Sequence, residues 1–374
     1  MSEDGLHEAD RIDGAPHPRN TIQLFGHEAA ERAFVDAYAK GRLHHAWLLT
    51  GPRGIGKATF AWRAARFLLS VATAPSDAGL LGEAPPAPDT LDVATDALIS
   101  RRIAALSEPG LLLIRRAWDT DRKRLKTQIT VDEVRKLGGF FGLSSADGGH
   151  RAVIVDSADE MNVSASNALL KVLEEPPRNA TLILISHAPA RLLPTIRSRC
   201  RELRLSALSP ADMERALSQA GHEGELSPAL RTIASGSVGE AIRLHANDGP
   251  ELYSQIIELL GNCPQMDRSR AVKFAETVAQ RGNVQRLETA IYLLELAISR
   301  LAYIGVGHTA EADAASGENE SFRELSPTPR AARKWAELQH EITGRFRHGR
   351  DVNVDPQSLV LDALLKINEA ARHS

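Results

Sequence analysis

A glycine-rich loop that ends in a lysine is the part of this chain whose residue types could bind a phosphate group. The glycines are Gly51, Gly54 and Gly56, and Lys57 follows them directly. Glycines allow consecutive backbone N–H groups to converge on an anion, and a lysine ammonium can reach the outer phosphates of a nucleotide. The spacing Gly51-x-x-x-x-Gly56-Lys57 therefore predicts a phosphate-binding loop.

The segments on either side of this loop have the patterns of a strand and a helix. The apolar run 46–50 is short enough to be a buried strand, and apolar residues recur at helical spacing over 57–69. A helix that begins at the loop would direct the positive end of its dipole toward a bound anion. The alternative, a glycine-rich turn without a ligand, does not account for the order strand, loop and helix.

Magnesium binding is less well supported than phosphate binding. The phosphate-loop pattern has Ser or Thr directly after the lysine, and its hydroxyl ligates Mg²⁺, whereas this chain has Ala58. Thr59 is the next hydroxyl, but one step along a helix rotates a side chain by about 100°. We therefore leave the binding of Mg²⁺ open and expect the loop to hold phosphate better than metal.

A second candidate carboxylate follows the apolar run 152–155. Asp156 comes directly after this run, where phosphate-loop proteins place an aspartate that orients Mg²⁺ and its water. Hydrolysing members of that class have a glutamate next, and this chain has Ser157, while Asp159 and Glu160 lie too far along to replace it. We predict that ATP or ADP binds without hydrolysis. The expected contacts are Gly51, Gly54, Gly56, Lys57, Thr59 and Asp156.

The composition excludes several classes of protein. The 374 residues carry a net charge of −3, so no general positive charge attracts nucleic acid, and contact with DNA must be local or made through partners. The two cysteines, Cys200 and Cys263, are far apart, so we expect no zinc site and assign no metal site. With no apolar run of signal-peptide or membrane-spanning length, we expect a cytoplasmic protein without a membrane partner.

A basic run over 115–126 leaves two interpretations open. Arginines and lysines surround Trp118, which could indicate a contact with DNA. Alternatively, the run is a solvated loop with a packed tryptophan, because Asp119 and Asp121 interrupt the positive charge. We favour the solvated loop.

Three strings in the middle of the chain resemble the clamp-loader branch of the AAA+ ATPases. They are Asn-Ala-Leu-Leu-Lys-Val-Leu-Glu-Glu-Pro-Pro at 167–177, the strand 181–186, and the segment 193–200 with its Ser-Arg-Cys triplet. In that family, the arginine of the triplet is a finger inserted into the ATP site of the neighbouring subunit. The resemblance would give this role to Arg199, and a surface ion pair is the alternative.

The resemblance further implies a subunit that assists the motor. ATP-hydrolysing loaders carry an arginine at the position of Gly239, so three catalytic positions (58, 157 and 239) are missing while Arg199 is kept. The implied partners are the motor and delta subunits in a hetero-oligomeric ring, the sliding clamp, and primer-template DNA reached through the complex. We expect neither intrinsic ATPase nor polymerase activity in a chain that serves DNA replication.

Two other functions stay open at this point. The chain could be an active DNA-dependent AAA+ ATPase, either the motor of the same loader or a helicase-type protein, if Thr59 served the metal. It could also be a degenerate AAA+ adaptor unrelated to replication, although the intact Ser-Arg-Cys triplet disfavours that function.

The predicted fold is an α/β AAA+ nucleotide-binding domain with a small helical lid, followed by an all-α collar. We place a disordered lead-in at 1–20, the nucleotide-binding domain at 21–207 and an Ala/Pro-rich excursion within it at 71–95. The lid is expected at 208–248 and the oligomerisation collar at 249–374. The assignment of the lid and the collar depends on the resemblance, which is weaker toward the C-terminus.

Overall fold

The protein is described by a computed structural model that covers residues 8–73, 88–142, 149–222, 224, 226–280, 282–308 and 312–372. The described residues form two compact units. The first lies within Met1–Glu223 and Ser237–Gly239, and the second within Gly224–Gly236 and Glu240–Ser374. The predicted lid is thus divided between the two units, and the three-domain layout stays a prediction.

A five-stranded parallel sheet forms the centre of the first unit, in the order β2-β5-β6-β1-β7. A two-stranded antiparallel pair, β3-β4, follows β2. The strands are β1 (Ala46–Thr50), β2 (Leu111–Ile114), β3 (Trp118–Asp119), β4 (Arg124–Leu125), β5 (Arg151–Val155), β6 (Ala180–Ser186) and β7 (Arg201–Arg204).

Helices cover both faces of this sheet, as a parallel sheet requires. Alternate residues of β1 enter different apolar clusters: Trp47 packs with Phe34 and Phe60 on one side, and Leu48 packs with Leu169 on the other. The helices are α1 (Glu28–Ala39), α2 (Lys57–Thr73), α3 (Leu98–Ala104), α4 (Val131–Gly142), α5 (Val163–Glu174), α6 (Pro194–Arg197) and α7 (Pro210–Gln219).

The described part of the second unit is helical. Its core includes the fully buried Tyr253, Phe322 and Trp335, and the buried Glu318 carboxylate accepts a hydrogen bond from the Tyr253 hydroxyl at 2.6 Å. Its helices are α8 (Pro228–Ala234), α9 (Val238–Ala246, whose first two residues belong to the first unit), α10 (Gly249–Gly261), α11 (Arg268–Val278), α12 (Val284–Gly305), α13 (Glu318–Leu325), α14 (Pro329–Asp351) and α15 (Pro356–Ala371). The predicted α/β region followed by a helical region is confirmed.

Residues 8–20 differ from the disordered lead-in that the sequence predicts. Glu8 and His17 are buried, and Glu8 forms ion pairs with Arg19 and Arg115. Part of the polar composition of this segment therefore belongs to a buried network of charges, while Arg11, Asp13 and Asn20 are exposed. Residues 1–7 of the predicted lead-in lie outside the described residues.

The predicted excursion at 71–95 is described at 71–73, where α2 ends, and at 88–95. The second of these pieces is partly core, because Leu91 is 1% exposed and belongs to the apolar cluster around Trp47. Asp92 also pairs with Arg63 of α2 at 2.8 Å. Residues 74–87 lie outside the described part of the chain. No helix in the described ranges has the length and apolar character needed to cross a membrane.

Candidate functional site

The phosphate loop lies between the carboxyl end of β1 and the start of α2, as the sequence predicts. Gly51, Gly54 and Gly56 have positive φ angles of 137°, 74° and 105°. At Gly51, a Cβ atom would lie 2.2 Å from the carbonyl oxygen of Leu205, so a side chain cannot be accommodated. The glycines are therefore required by the backbone path of the loop itself.

Lys57 is buried at the first position of α2, with 2% of its surface exposed. Its Nζ donates a hydrogen bond to the carbonyl oxygen of Gly51 at 2.7 Å and another to that of Pro52. Burial lowers the pKa of the ammonium to about 8, and the carboxylates of Asp159 and Asp156 partly offset this effect. The cation expected to bind phosphate thus lies inside the loop, with the loop's own carbonyls as partners.

The residues after Lys57 do not supply a metal site in a recognisable form. Ala58 packs against the apolar cluster around Trp47, and Thr59 is buried on α2 at 9% exposure. Among the described residues, no group of three or more His, Cys, Asp and Glu side chains could hold a metal ion. Binding of Mg²⁺ therefore stays as open as it is in the sequence.

Asp156 follows β5 and is 7% exposed. Burial raises the pKa of its carboxyl to about 7, and the nearby carboxylates of Asp10 and Glu160 raise it further, while the hydrogen bond from Ser157 opposes the shift. The Ser157 hydroxyl donates this bond to Oδ1 at 3.2 Å. Since Asp156 also acts on the Lys57 pKa, the structure brings the strand-end carboxylate and the loop lysine together.

Ser157 and His187 form a contact that the sequence analysis missed. Ser157 has a left-handed backbone with φ 59° and ψ 55°, and its Oγ lies 3.3 Å from His187 Nε2. The backbone N–H of His187 donates to Asp159 Oδ1 at 2.9 Å, and burial followed by the charge of Lys57 lowers the pKa of the imidazole to about 3. The sequence shows only that His187 directly follows an apolar run, and the position of β6 between β5 and β1 appears only in the fold.

Two other segments of the chain form hydrogen bonds with carbonyl oxygens of the loop. The imidazole Nε2 of His27 forms a 2.7 Å hydrogen bond with the carbonyl oxygen of Ile55. On the other side, the Ser237 hydroxyl donates to the carbonyl oxygen of Arg53 at 2.8 Å, and the Gly239 N–H donates to that of Gly54 at 3.0 Å. The position at which hydrolysing loaders have an arginine therefore touches the loop backbone directly.

Arg199 lies away from this loop, just before the amino end of β7. Its Nη2 is 2.9 Å from Oε1 of Glu174, and its Nη1 donates to the carbonyl oxygen of Thr195 at 3.1 Å. The side chain is 36% exposed. The isolated chain thus holds Arg199 in the surface ion pair that the sequence analysis left as an alternative.

The parallel pairing of β1 with β7 places Arg199 at the amino ends of the strands and the phosphate loop at their carboxyl ends. The register joins Trp47 to Arg201 and Thr50 to Arg204, so the carboxyl end of β1, where the loop begins, lies beside the carboxyl end of β7. Strands rise by roughly 3.3 Å per residue. About 10 Å of strand therefore separates the amino end of β7, which Arg199 precedes, from the carboxyl end of β1, where the loop begins.

The basic run is partly neutralised by acidic partners. Arg115 pairs with Glu8 at 3.3 Å and with Asp10, and Arg116 Nε lies 2.8 Å from Glu160 Oε2. Trp118 lines a pocket of about 350 Å³ beside the edge strand β2. Arg115 and Arg116 are therefore neutralised and mostly buried, which disfavours a contact with DNA in the first half of the run without making that half a solvated loop.

A family described as DNA polymerase III, delta subunit, matches residues 26–209. Over 218 residues, the chain is 36% identical to DNA polymerase III subunit delta' of Pseudomonas aeruginosa, covering 57% of this chain and 60% of that protein. It is 30% identical over 229 residues to the delta' subunit of Bacillus subtilis, covering 61% and 62%. The DNA polymerase III subunit tau of Escherichia coli is 25% identical over 274 residues, 70% of this chain and 38% of that protein. The chain therefore spans about three fifths of the length of the delta' relatives it matches.

Solved structures resemble the chain only distantly. A DNA polymerase III gamma-subunit-related protein of Thermotoga maritima is 17% identical, with 91% of this chain and 100% of that chain covered and a TM-score of 0.32. The RuvB Holliday junction branch migration motor of the same organism is 13% identical, with 84% and 90% covered and a TM-score of 0.39.

Proposed function

We propose, from the match of residues 26–209 to the DNA polymerase III delta subunit family, that the protein is a delta-prime-type, non-motor subunit of the clamp-loader complex. In this function it assists the ATP-driven loading of the sliding clamp onto primed DNA. It completes a hetero-oligomeric ring with the motor and delta subunits in the cytoplasm, and primer-template DNA reaches it through the complex. The helical second unit includes the predicted collar through which the subunits assemble.

The observation that carries this proposal is the separation of Arg199 from the phosphate loop of its own chain. The two lie at opposite ends of the strands of one parallel sheet, so the guanidinium cannot reach a phosphate held by Lys57. An arginine that stabilises phosphoryl transfer from this position must act on a nucleotide held by another molecule. Arg199 is partly exposed and therefore accessible to a neighbouring subunit.

The chain's own loop fits the binding of ATP or ADP better than its hydrolysis. The backbone of Gly51, Gly54 and Gly56 forms the glycine-dependent path that a phosphate cradle needs, and Lys57 stands at its end. A bound nucleotide would supply the anion for these N–H groups and for the ammonium. The water-aligning glutamate is absent next to Asp156, and the metal-binding hydroxyl is absent next to Lys57.

The direct test is the steady-state ATPase rate of the motor subunit, assembled with this chain, the delta subunit, the clamp and primed DNA. We expect Arg199→Ala to lower turnover at the sites next to this chain by a factor on the order of 10³, the lower end for an arginine finger. Arg197→Ala is the matched control, since Arg197 is exposed on α6 two positions away. Unchanged turnover in an Arg199→Ala complex of intact composition would contradict the finger.

A second measurement separates this function from an active ATPase, the alternative that the sequence leaves open. The purified chain alone is assayed for turnover with and without the substitution Lys57→Ala. We expect no turnover that depends on Lys57. Turnover that Lys57→Ala abolishes would show that the chain is itself a motor.

A further inference from the structure

The amino-terminal segment 8–14 reaches the phosphate loop from a distant part of the sequence. A Cβ atom on Gly239 would lie 2.6 Å from Cδ1 of Ile12 and 2.8 Å from Cα of Gly54. Ile12, Gly54 and Gly239 therefore meet at one point. An apolar side chain of the amino-terminal segment thus lies beside Gly239, whose N–H binds the backbone of the loop at Gly54.

The same segment brings a carboxylate to the strand-end aspartate. Asp10 is close enough to Asp156 to raise the pKa of that carboxyl, and the Asp10 side chain is 1% exposed. It pairs with Arg115 and lies 3.2 Å from Nε2 of His17. A fixed negative charge beside Asp156 opposes the arrival of a phosphate anion, because like charges repel strongly where water is excluded.

Further contacts hold the segment against the helix that begins at the loop. The ring of His17 meets Trp62 of α2 edge to face, with 6.0 Å between the ring centroids. Arg66 of α2 donates to the carbonyl oxygen of Arg19 at 2.6 Å, and His222 forms a 2.6 Å hydrogen bond with the carbonyl oxygen of Gly14. These contacts lie on the carboxyl side of Ile12, and the ion pairs of Glu8 and Asp10 with Arg115 hold the chain on its amino side.

We propose that residues 8–14 are an intramolecular plug that competes with a nucleoside di- or triphosphate for the phosphate loop of this chain. The inference rests on the proposed function, because it explains how a subunit that retains its loop can work with that loop closed. The missing hydroxyl and glutamate account for the loss of hydrolysis but leave the glycines and Lys57 able to bind phosphate. The plug acts on nucleotide binding, which precedes hydrolysis.

With competition of this kind, the apparent dissociation constant equals the intrinsic one divided by the fraction of molecules in which the plug is open. If the plug is open in about 1% of molecules, the apparent dissociation constant rises about 100-fold. Substitutions that weaken the plug raise the open fraction, and nucleotide then binds more tightly without any change in the loop. That direction is unusual, since most substitutions near a binding site weaken binding.

The test is a titration of the full chain with a fluorescent ADP analogue, without its partners. We expect Ile12→Ala and Asp10→Asn each to tighten binding by about tenfold or more, and Lys57→Ala added to either variant to remove the gain. Ile22→Ala is the matched control, because Ile22 is 55% exposed. Unchanged or weaker binding in variants whose circular dichroism and melting match the wild type would overturn the plug.

Hydrogen exchange provides a readout on the unmodified chain, in case a variant fails to fold. Saturating ADP should increase amide exchange in 8–14 while it protects 51–57. Protection of both segments together, or exchange in 8–14 that ADP does not change, would contradict competition. Neither experiment depends on Arg199 or on the assembled complex, so the plug and the proposed function can fail separately.

Discussion

Arg199 and Glu174 form an ion pair in which Nη2 and Oε1 are 2.9 Å apart, with 36% and 49% of the two side chains exposed. A pair this open to solvent contributes about 0–1 kcal/mol to stability. A finger in a phosphoryl-transfer site contributes on the order of 10³-fold in rate, or about 4 kcal/mol. Breaking this ion pair so that Arg199 could bind a phosphate group of a neighbouring subunit, as proposed above, would therefore cost little stability.

Glu174→Gln should accordingly preserve both the fold and the proposed finger role of Arg199. We expect the free energy of unfolding to change by less than about 1 kcal/mol, because the lost pair is exposed. In the assembled complex, motor turnover should be no lower than with the wild-type chain, since Arg199 is still available. Urea unfolding and the ATPase assay measure the two quantities. A fall in turnover as large as that of Arg199→Ala would mean that Glu174 positions the guanidinium.

The raised pKa of Asp156 predicts a pH-dependent gain in stability for Asp156→Asn. In the folded chain the carboxyl titrates near pH 7, whereas the ordinary value is 3.8, so folding favours the protonated form between these two values. The wild type therefore loses stability as pH rises from about 4 to 7, by up to on the order of 4 kcal/mol. Asn cannot ionise and does not pay this cost.

Urea unfolding of both proteins between pH 4 and 8, in the presence of a chelator, measures the difference. We expect Asp156→Asn to gain stability relative to the wild type as pH rises to 7, and the difference to level off above that. Asp36→Asn is the control, because Asp36 is 67% exposed and pairs only with Lys40 among the ion pairs of the described residues. A difference that is constant with pH would show that burial, together with the charges of Asp10 and Glu160, does not raise the pKa of this carboxyl.

Gly239 should tolerate no side chain. Its ideal Cβ position lies 2.8 Å from Cα of Gly54, a backbone atom that cannot rotate away. We expect Gly239→Ala to destabilise the protein by about 1–3 kcal/mol through overpacking. Gly138→Ala in α4, where nothing lies within 4 Å of the added methyl group, should instead be neutral or stabilise by up to about 1 kcal/mol. Equal effects of the two substitutions on the melting temperature would argue against the close approach.

The phosphate loop and its strand could be predicted because their signals are local. Gly51 to Lys57 specify a backbone path within seven consecutive residues, and Asp156 ends an apolar run that is visible by itself. The order of the strands was not accessible in this way. The strand order places β1 between β6 and β7. Only that arrangement shows that Arg199 lies at the amino ends of the strands, opposite the loop at their carboxyl ends.

The amino-terminal segment could not be predicted for a different reason. Glu8 and Arg115 are 107 positions apart, and a polar run has the same composition whether it is solvated or forms buried ion pairs. His187 was missed because a lone histidine after a strand has no partner in the sequence. Its contact with Ser157 exists only once β5 and β6 are neighbours.

The contact between Gly239, Ile12 and Gly54 also limits the mutational paths open to this chain. An arginine at 239 would need space that Ile12 fills, so the amino-terminal segment would have to change first. That first change brings no benefit to hydrolysis until the second one occurs, and Ala58 and Ser157 would have to be replaced as well. A single substitution therefore cannot give this chain the set of residues that hydrolysing loaders have.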